Sequence, residues 1–338
     1  MRATIKSIAR DLGISHMTVS RALSGNPNVN PETRDLILAR AKEVGYVKNS
    51  AANAMRGDPT AIVGLLLPNI INEFYARFAN ALAMLCADLD LDLVIHLTND
   101  DYEREQKSLL RLRALQASTV ILVPAPDPSG RSKGQASPMR IVELIRSREG
   151  TGAWGKLLID DGPAIAAAVA HLVRTGRRRI AFIGADPSMS SGRGRLAAFE
   201  SALQSHGQTP DPGLVRTGAP GFMMGHDNMA ALLSLEAPPD ALICGGFEIS
   251  NGALDCCLRR GLRFPQDLAF VGYGDPISYG WIDKGISTIE ISPEELAKQA
   301  CRMLAPQAMA AEDHVEHLPT TFHLRGSAAA ADSPGVTT

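Results

Sequence analysis

Met17, Ser20 and Arg21 fall on one side of a short predicted helix, with His16 at its N-terminal edge, while Val19, Ala22 and Leu23 fall on the other. Donors and a flexible apolar side chain on one helix face suit the reading of a surface rather than the breaking of a bond. Bond-breaking chemistry leaves signatures that this sequence lacks. It has no Gly-x-Gly-x-x-Gly after a strand, no Walker motif, no His-Glu-x-x-His and no Gly-x-Ser-x-Gly. The eight His are scattered without metal-ligand spacing. His314 and His317 lie three apart, but in a polar stretch rich in Ala, Glu and Asp that reads as a solvated face. No cofactor or metal is expected.

The elements that must position His16 to Arg21 are short helices. Ile5, Ile8, Ala9 and Leu12 recur at i, i+3, i+4, i+7, which is one apolar helix face. Thr4 can cap its start, Gly13 can stop it, and Ser15 can cap the next helix. Two short helices joined by a turn containing Gly form a helix-turn-helix, whose second helix enters the DNA major groove. The pattern alone serves equally for a helical hairpin at the edge of a larger fold. Asn30-Pro31-Glu32 then starts a third helix carrying Leu36, Ile37, Ala41 and Val44, and Gly45 ends it. Three helices in about 45 residues have little core, so they make sense as a DNA-binding headpiece on something larger.

Thr4-Ile5, Ile8-Ala9, Gly13-Ile14-Ser15 and the unbroken Thr18-Val19-Ser20-Arg21-Ala22-Leu23, then Val29, Thr33-Arg34 and Gly45-Tyr46, closely resemble the headpiece of the LacI/GalR family of bacterial transcriptional regulators. The match keeps its spacing without gaps and sits where that family carries it. The rest of the chain, to about Ser327, fits the family more loosely. The resemblance implies a homodimeric regulator, most simply a repressor, on a roughly palindromic double-stranded operator, controlled by a small effector. It places His16, Met17 and Arg21 at base edges with Ser20 beside them. Thr4, Ser15, Thr18 and Asn26 would contact phosphate, which positions without reading sequence.

Residues 48–59 carry a pattern of their own. Their alanines favour helix, Asn49 or Ser50 can cap it, and Gly57 ends it. About seven residues cannot hold a helix alone in water, because nucleation is costly. In the resembled family this is a hinge helix that packs against its symmetry mate in the minor groove and drives an apolar wedge, usually Leu, into a base step. Here Met55 takes that position, flanked by Ala52 and Arg56. Lys48 stands where the family often has Pro. The alternative is a flexible linker.

A chain of 338 residues with 45% hydrophobic content predicts two or three domains with sizeable cores. No run of 18 or more apolar residues exists, so no membrane span is expected. The first residues lead straight into an amphipathic helix with no apolar signal core, and the expectation is a cytoplasmic protein. Cys86, Cys244, Cys256, Cys257 and Cys301 are odd in number, lack Cys-x-x-Cys spacing and read as reduced thiols. Residues 1–58 hold nine Lys/Arg and five Asp/Glu, a net of +4, whereas the remainder holds 25 and 31, a net of −6. A basic head on an acidic body fits a head that meets phosphate.

From residue 61 the texture changes. The apolar run 61–68 reads as a parallel strand buried on both faces. Strands are expected near 93–96, 119–123, 157–159, 180–183, 214–217, 241–244, 269–271 and 287–291, with helices such as 102–115, 164–175, 194–205 and 249–260 between them. The fold class is therefore α/β, with doubly wound parallel sheets. About 260 residues call for two lobes, which the resemblance makes those of a periplasmic-binding-protein-like fold. The expected layout is a headpiece over 1–47, a hinge over 48–59 and an effector and dimerisation domain over 60–327. Its N-lobe spans about 60–160 and 291–320, and its C-lobe about 161–290 and 321–327. Residues 124–138 read as a surface loop and 328–338 as a disordered tail without heptads.

A ligand of such a fold lies at strand C-terminal ends in the cleft between lobes. Phe74 and Tyr75 follow the first strand and could stack on a ligand ring, or equally pack the next helix. Arg195 falls where the family places an effector-binding Arg, with Arg193 near it; a structural ion pair is the alternative. Phe247 and Gly274 stand where many members have a polar Asn or Asp and an Asp, and Glu248 and Asp275 come one residue later. Asp161 near the crossover is a further candidate. The Gly272-Tyr273-Gly274-Asp275 form resembles the branch that answers to gluconate, so a sugar or sugar acid is the expected effector. Two rivals share the α/β part: a solute-binding module, and an enzyme acting on sugars or nucleotides with an accessory headpiece. The basic head argues against the first, and the missing nucleophile and phosphate motifs against the second.

Overall fold

The computed structural model describes residues 3–46, 61–127, 139–304 and 314–330. The chain divides into two compact units, at Thr60 and Ala61. The first is three helices, α1 (Ile5–Leu12), α2 (His16–Leu23) and α3 (Pro31–Glu43). Thr4 and Ser7 cap α1 reciprocally: the Thr4 hydroxyl accepts from the Ser7 N–H at 3.1 Å, and the Ser7 hydroxyl accepts from the Thr4 N–H at 2.9 Å. Gly13 ends α1 at φ +67, a conformation costly to any residue with a Cβ, and so turns the chain into α2. Ile8, Val19, Val29 and Ile37 are the buried centre of this unit. Arg40 on α3 pairs with Asp11 on α1 at 2.7 Å. Leu36, expected on the apolar face of α3, is 54% exposed.

The second unit is built on two six-stranded sheets. Strands β1 (Ile62–Leu67), β2 (Asp92–Leu97), β3 (Thr119–Leu122), β4 (Arg140–Ile145), β5 (Gly155–Asp160) and β11 (His314–Pro319) lie in the order β11-β5-β4-β3-β1-β2, all parallel. Strands β6 (Ile180–Ala185), β7 (Val215–Gly218), β8 (Ala241–Gly245), β9 (Ala269–Tyr273), β10 (Ser287–Glu290) and β12 (Thr321–His323) lie in the order β12-β10-β9-β8-β6-β7, with only β12 antiparallel. The helices α4 (Glu73–Asp88), α5 (Tyr102–Ala114) and α10 (Pro293–Leu304) cover the first sheet. The helices α6 (Gly162–Arg174), α7 (Ser190–Ser205), α8 (Phe222–Leu233) and α9 (Phe247–Arg259) cover the second. Strands such as β1 are buried almost throughout, as parallel strands sandwiched by helices must be.

The chain passes between the sheets after β5, after β10 and between β11 and β12. Two of these crossings are tied together, since Thr320 donates its N–H to the Asp160 carbonyl at 3.0 Å. The stretch around His314 and His317, read as a solvated face, is an edge strand of the first sheet. The segment from residue 124, read as a surface loop, begins inside: Ala125 is buried and donates its N–H to Glu105 Oε2 at 2.6 Å. Residue 328, taken as the start of a disordered tail, is likewise fully buried, and its carbonyl accepts from His171 at 2.6 Å. Packing against α6 rather than composition decides that boundary.

Strand β4 was absent from the sequence reading. Its Glu143 carboxylate is fully buried. One oxygen accepts from the Thr151 hydroxyl at 2.7 Å and the Arg148 N–H at 3.1 Å; the other has no hydrogen-bond partner, with Lys156 Nζ 4.0 Å away. All five cysteines are free, and burial pushes the Cys257 thiol up to about 12 and Cys86 to about 11. No helix of the described residues is long and apolar enough to cross a membrane.

Candidate functional site

In the first unit the second helix turns one face outward. His16, Met17 and Arg21 are exposed, and Met17 is 54% exposed although apolar. Among the described residues the Arg21 guanidinium has no hydrogen-bond or ion-pair partner, and its side chain is exposed to an outside acceptor. Ser15 caps α2 by accepting from the Thr18 N–H at 3.0 Å, and the Ser15 and Thr18 hydroxyls are bonded at 2.9 Å. Asn26 shapes the following turn: its side chain accepts from the Asn28 N–H at 3.0 Å and its carbonyl from Arg34 at 2.6 Å. Thr4, Ser15 and Asn26 therefore hold the helix ends in place, and Ser20 shares the half-buried flank of α2. Ala52, Met55 and Arg56 lie outside the described residues.

In the second unit both sheets change strand order at a switch point, between β1 and β3 and between β6 and β8. Crevices for ligands open at such points, beyond the strand C-terminal ends. A cavity of about 100 Å³ lies there, lined from the first sheet by the turn after β1, by Phe74 and Tyr75, and by Arg146. From the second sheet it is lined by Arg195, Phe247, Glu248 and Tyr273. Phe74 and Tyr75 also pack on the core beneath them and meet edge to face at 5.7 Å, so the two readings of this pair are compatible.

Arg195 is buried at the centre of the C-lobe wall. Its Nε donates to Asp161 Oδ2 at 2.5 Å, one Nη to the Gly245 carbonyl at 3.1 Å and the other to the Tyr273 hydroxyl at 2.5 Å. Tyr273 in turn donates to Asp161 Oδ1 at 2.9 Å. Burial opposes the Arg195 charge, but Asp161 outweighs it and holds the guanidinium above its ordinary pKa. Burial pushes the Tyr273 phenol well up, so it stays a donor. Asp161 thus enters the site as the anchor of Arg195. A second cavity of about 280 Å³ opens on the far side of the same pair, toward Asp160, Ser190 and His317.

The opposite wall holds Arg146, which sequence reasoning missed because β4 was not read. It is buried and donates to the Pro124 carbonyl at 2.6 Å, to Met189 sulfur at 3.1 Å and to Asp100. The Met189 contact crosses the cleft, as does the bond from the Ser147 N–H to Ser190 Oγ at 2.8 Å.

Two expected contacts fall elsewhere. Arg193 is exposed and donates to the Pro187 carbonyl at 2.8 Å, because one helical step past Gly192 it faces away from the cleft. Asp275 is held by both Nη atoms of Arg325, at 2.6 and 2.7 Å, and lines a separate small cavity. Position 274 explains why: Gly274 sits at φ +77 against the Phe247 ring, and the following carboxylate turns outward. Phe247 and Glu248, at the start of α9, do line the cleft. Glu248 has no hydrogen-bond or ion-pair partner among the described residues, and burial raises its pKa above the usual carboxylate value. No group of three or more metal-ligating side chains occurs among the described residues.

The family profile for bacterial regulatory proteins of the lacI family matches residues 4–49, and that of a periplasmic binding protein-like domain matches residues 169–328. The HTH-type transcriptional regulator RegA of Clostridium saccharobutylicum is 25% identical over 312 residues, 90% of this chain and 92% of that protein. Catabolite control protein A of Priestia megaterium is 27% identical over 275 residues, 81% of this chain and 82% of that protein. Among solved structures, the lac repressor dimer bound to operator and the anti-inducer ONPF shares the fold, with a TM-score of 0.81 at 20% identity over 97% of this chain and 99% of that one.

Proposed function

The chain belongs to the LacI family of bacterial regulatory proteins, and on that premise we propose that it is a repressor whose hold on operator DNA is set by a small molecule bound between two α/β lobes. It is a transcriptional regulator, not an enzyme. The observation that carries the reading is the joining, in one chain, of an outward-facing Met17 and Arg21 on the second helix of a helix-turn-helix with a cavity at two facing switch points. Arg21, Met17 and His16 read base edges, and Thr4, Ser15, Thr18 and Asn26 set the height of the helix on the phosphates.

The protein acts as a homodimer in the cytoplasm, on a site of matching twofold symmetry. Support for a second copy comes from exposed apolar side chains beside the open edge of the first sheet: Met84 and Leu89 on and after α4, and Ile95 and Leu97 on β2. A long apolar edge strand left uncovered would aggregate, and pairing with a like edge removes the liability.

The effector is sugar-sized and polar. It would work by changing how the lobes meet, because the Arg146–Met189 and Ser147–Ser190 contacts cross the cleft at the cavity. A ligand that binds one lobe arrangement better shifts the dimer toward it by its differential affinity and no more. The test is binding of the full chain to palindromic against scrambled duplex across a salt series. A steep salt slope with preference for one palindrome is expected; equal binding to all duplexes would remove the sequence-reading role.

A further inference from the structure

We propose that the effector is a cation: a small polar molecule bearing a protonated or quaternary amine, seated in the cleft with that group against Glu248. This rests on the effector-cleft reading above and adds a charge to it.

Arg146, Arg195, Asp100 and, bonded behind Arg195, Asp161 stand at this cavity with Glu248, making five charged groups; Asp160 lines only the second cavity. The first four cancel in pairs, Arg146 with Asp100 and Arg195 with Asp161. Every nitrogen of both guanidinium groups already has a partner in the protein. Each Nη keeps a second N–H, but both positive charges are already balanced by carboxylates, so an anionic ligand meets no unbalanced cation. Glu248 remains as the one unbalanced charge of the five, half-buried and with no cation near it; burial alone accounts for its raised pKa. A carboxylate kept in a cleft at that cost gains most from a positive ligand group, which supplies both a charge-assisted donor and the missing counter-charge.

The apolar lining points the same way. Phe74, Tyr75, Phe247 and Tyr273 all line this small cavity. Aromatic faces attract ammonium groups through the ring quadrupole, and aromatic residues around a carboxylate make a site for amines. Phe247 and Gly274 present no side-chain acceptor at those two positions, whereas the adjacent Glu248 does. The backbone N–H groups at the start of α7, which have no side-chain cap, remain for oxygen atoms elsewhere on the ligand.

The experiment is thermal shift followed by calorimetry on the full chain with matched probes: glucosamine, glucose and gluconate, and choline with its neutral tert-butyl analogue. Glucosamine or choline should raise the melting temperature where the neutral and anionic members do not. Glu248→Gln should weaken the cationic probe about tenfold or more without lowering the unliganded melting temperature, since Glu248 has no partner among the described residues and the variant removes a half-buried charge. Phe247→Leu, which keeps the carboxylate, should weaken choline as well. Gluconate binding as tightly as the cations, no cationic probe binding, or cation binding indifferent to Glu248→Gln would each overturn the proposal. Ser191→Trp, which fills the cavity, separates the two levels. Binding that survives it comes from elsewhere, and the cleft reading itself fails. Anionic binding that it abolishes leaves the cleft in place and sinks only the charge.

Discussion

The Phe247 ring occupies the volume that a side chain at position 274 would need. The two residues stand at the ends of neighbouring strands β8 and β9, in separate stretches of the chain, yet no side chain can be added at 274 while the ring stays in place. Gly274 at φ +77 also holds a conformation that only glycine adopts freely. Gly274→Ala should lower unfolding free energy by roughly 2–4 kcal/mol, from backbone strain plus overlap with the ring. In a Phe247→Ala background the same change should cost about 1–2 kcal/mol, the backbone part alone. Urea melts of the four variants give the coupling; equal costs in both backgrounds would show that the ring yields freely.

Arg195 and Asp161 form a buried pair closed by Tyr273. The burial of Arg195 makes it part of the fold as well as of the cleft. Arg195→Ala should cost about 3–5 kcal/mol, because a buried carboxylate loses its counter-ion. Arg195→Met with Asp161→Asn should recover most of that stability while still altering the effector response. Calorimetric melting points decide this, and a fully stable Arg195→Ala would contradict the buried-pair account.

Arg21 is exposed on α2 and has no partner among the described residues. Arg21→Ala should leave the melting temperature within a degree or two, since surface changes of this kind move stability by about 0.5 kcal/mol or less. On the preferred duplex it should cost roughly 1–3 kcal/mol, with much less on random duplex. Equal losses on both would make Arg21 a phosphate contact.

Glu143 is a carboxyl that burial holds above the ordinary range, against the opposing pull of Thr151 and Arg148. The folded state therefore binds its proton more tightly than the unfolded chain does. Its contribution is present below the unfolded value of about 4.3 and is lost as pH rises through the raised folded value. Glu143→Gln should flatten that part of the stability profile. Parallel urea melts from acid to neutral pH would show it; identical slopes in parent and variant would assign the pH dependence to other groups.

The headpiece was legible because its signals are local. Thr4, Gly13, Ser15 and Asn30 each act within a few residues, and Ile5, Ile8, Ala9 and Leu12 repeat at helical spacing. The α/β character was legible from apolar runs such as β1 and β8. Strand β4 was not, because Arg140 and Glu143 interrupt its apolar pattern; their contacts, Trp154 for Arg140 and Thr151 and Arg148 for one Glu143 oxygen, form only in the fold. Losing β4 also hid Arg146, whose place at a strand end marks it as a cleft residue. The edge strand β11 reads as polar because one side of it faces water. In the site, the departure at Phe247 and Gly274 was visible residue by residue, but their contact spans 27 positions and no spacing rule records it.

Three crossings between the sheets have a consequence for how the protein is made. The first sheet waits for β11, and the second for β12, both near the end of the chain. A ribosome releasing residues in order can finish the headpiece before either lobe, and neither lobe is complete until β11 and β12 have followed every other strand. β5 is an open edge while residues 161–313 are made, and β10 only while residues 291–320 are made, each exposed to like edges on neighbouring nascent chains. Yield in the cell should therefore respond to translation speed and chaperone supply more than the finished molecule's stability would imply. A short deletion that removes β11 and β12 should cost both lobes together, not one.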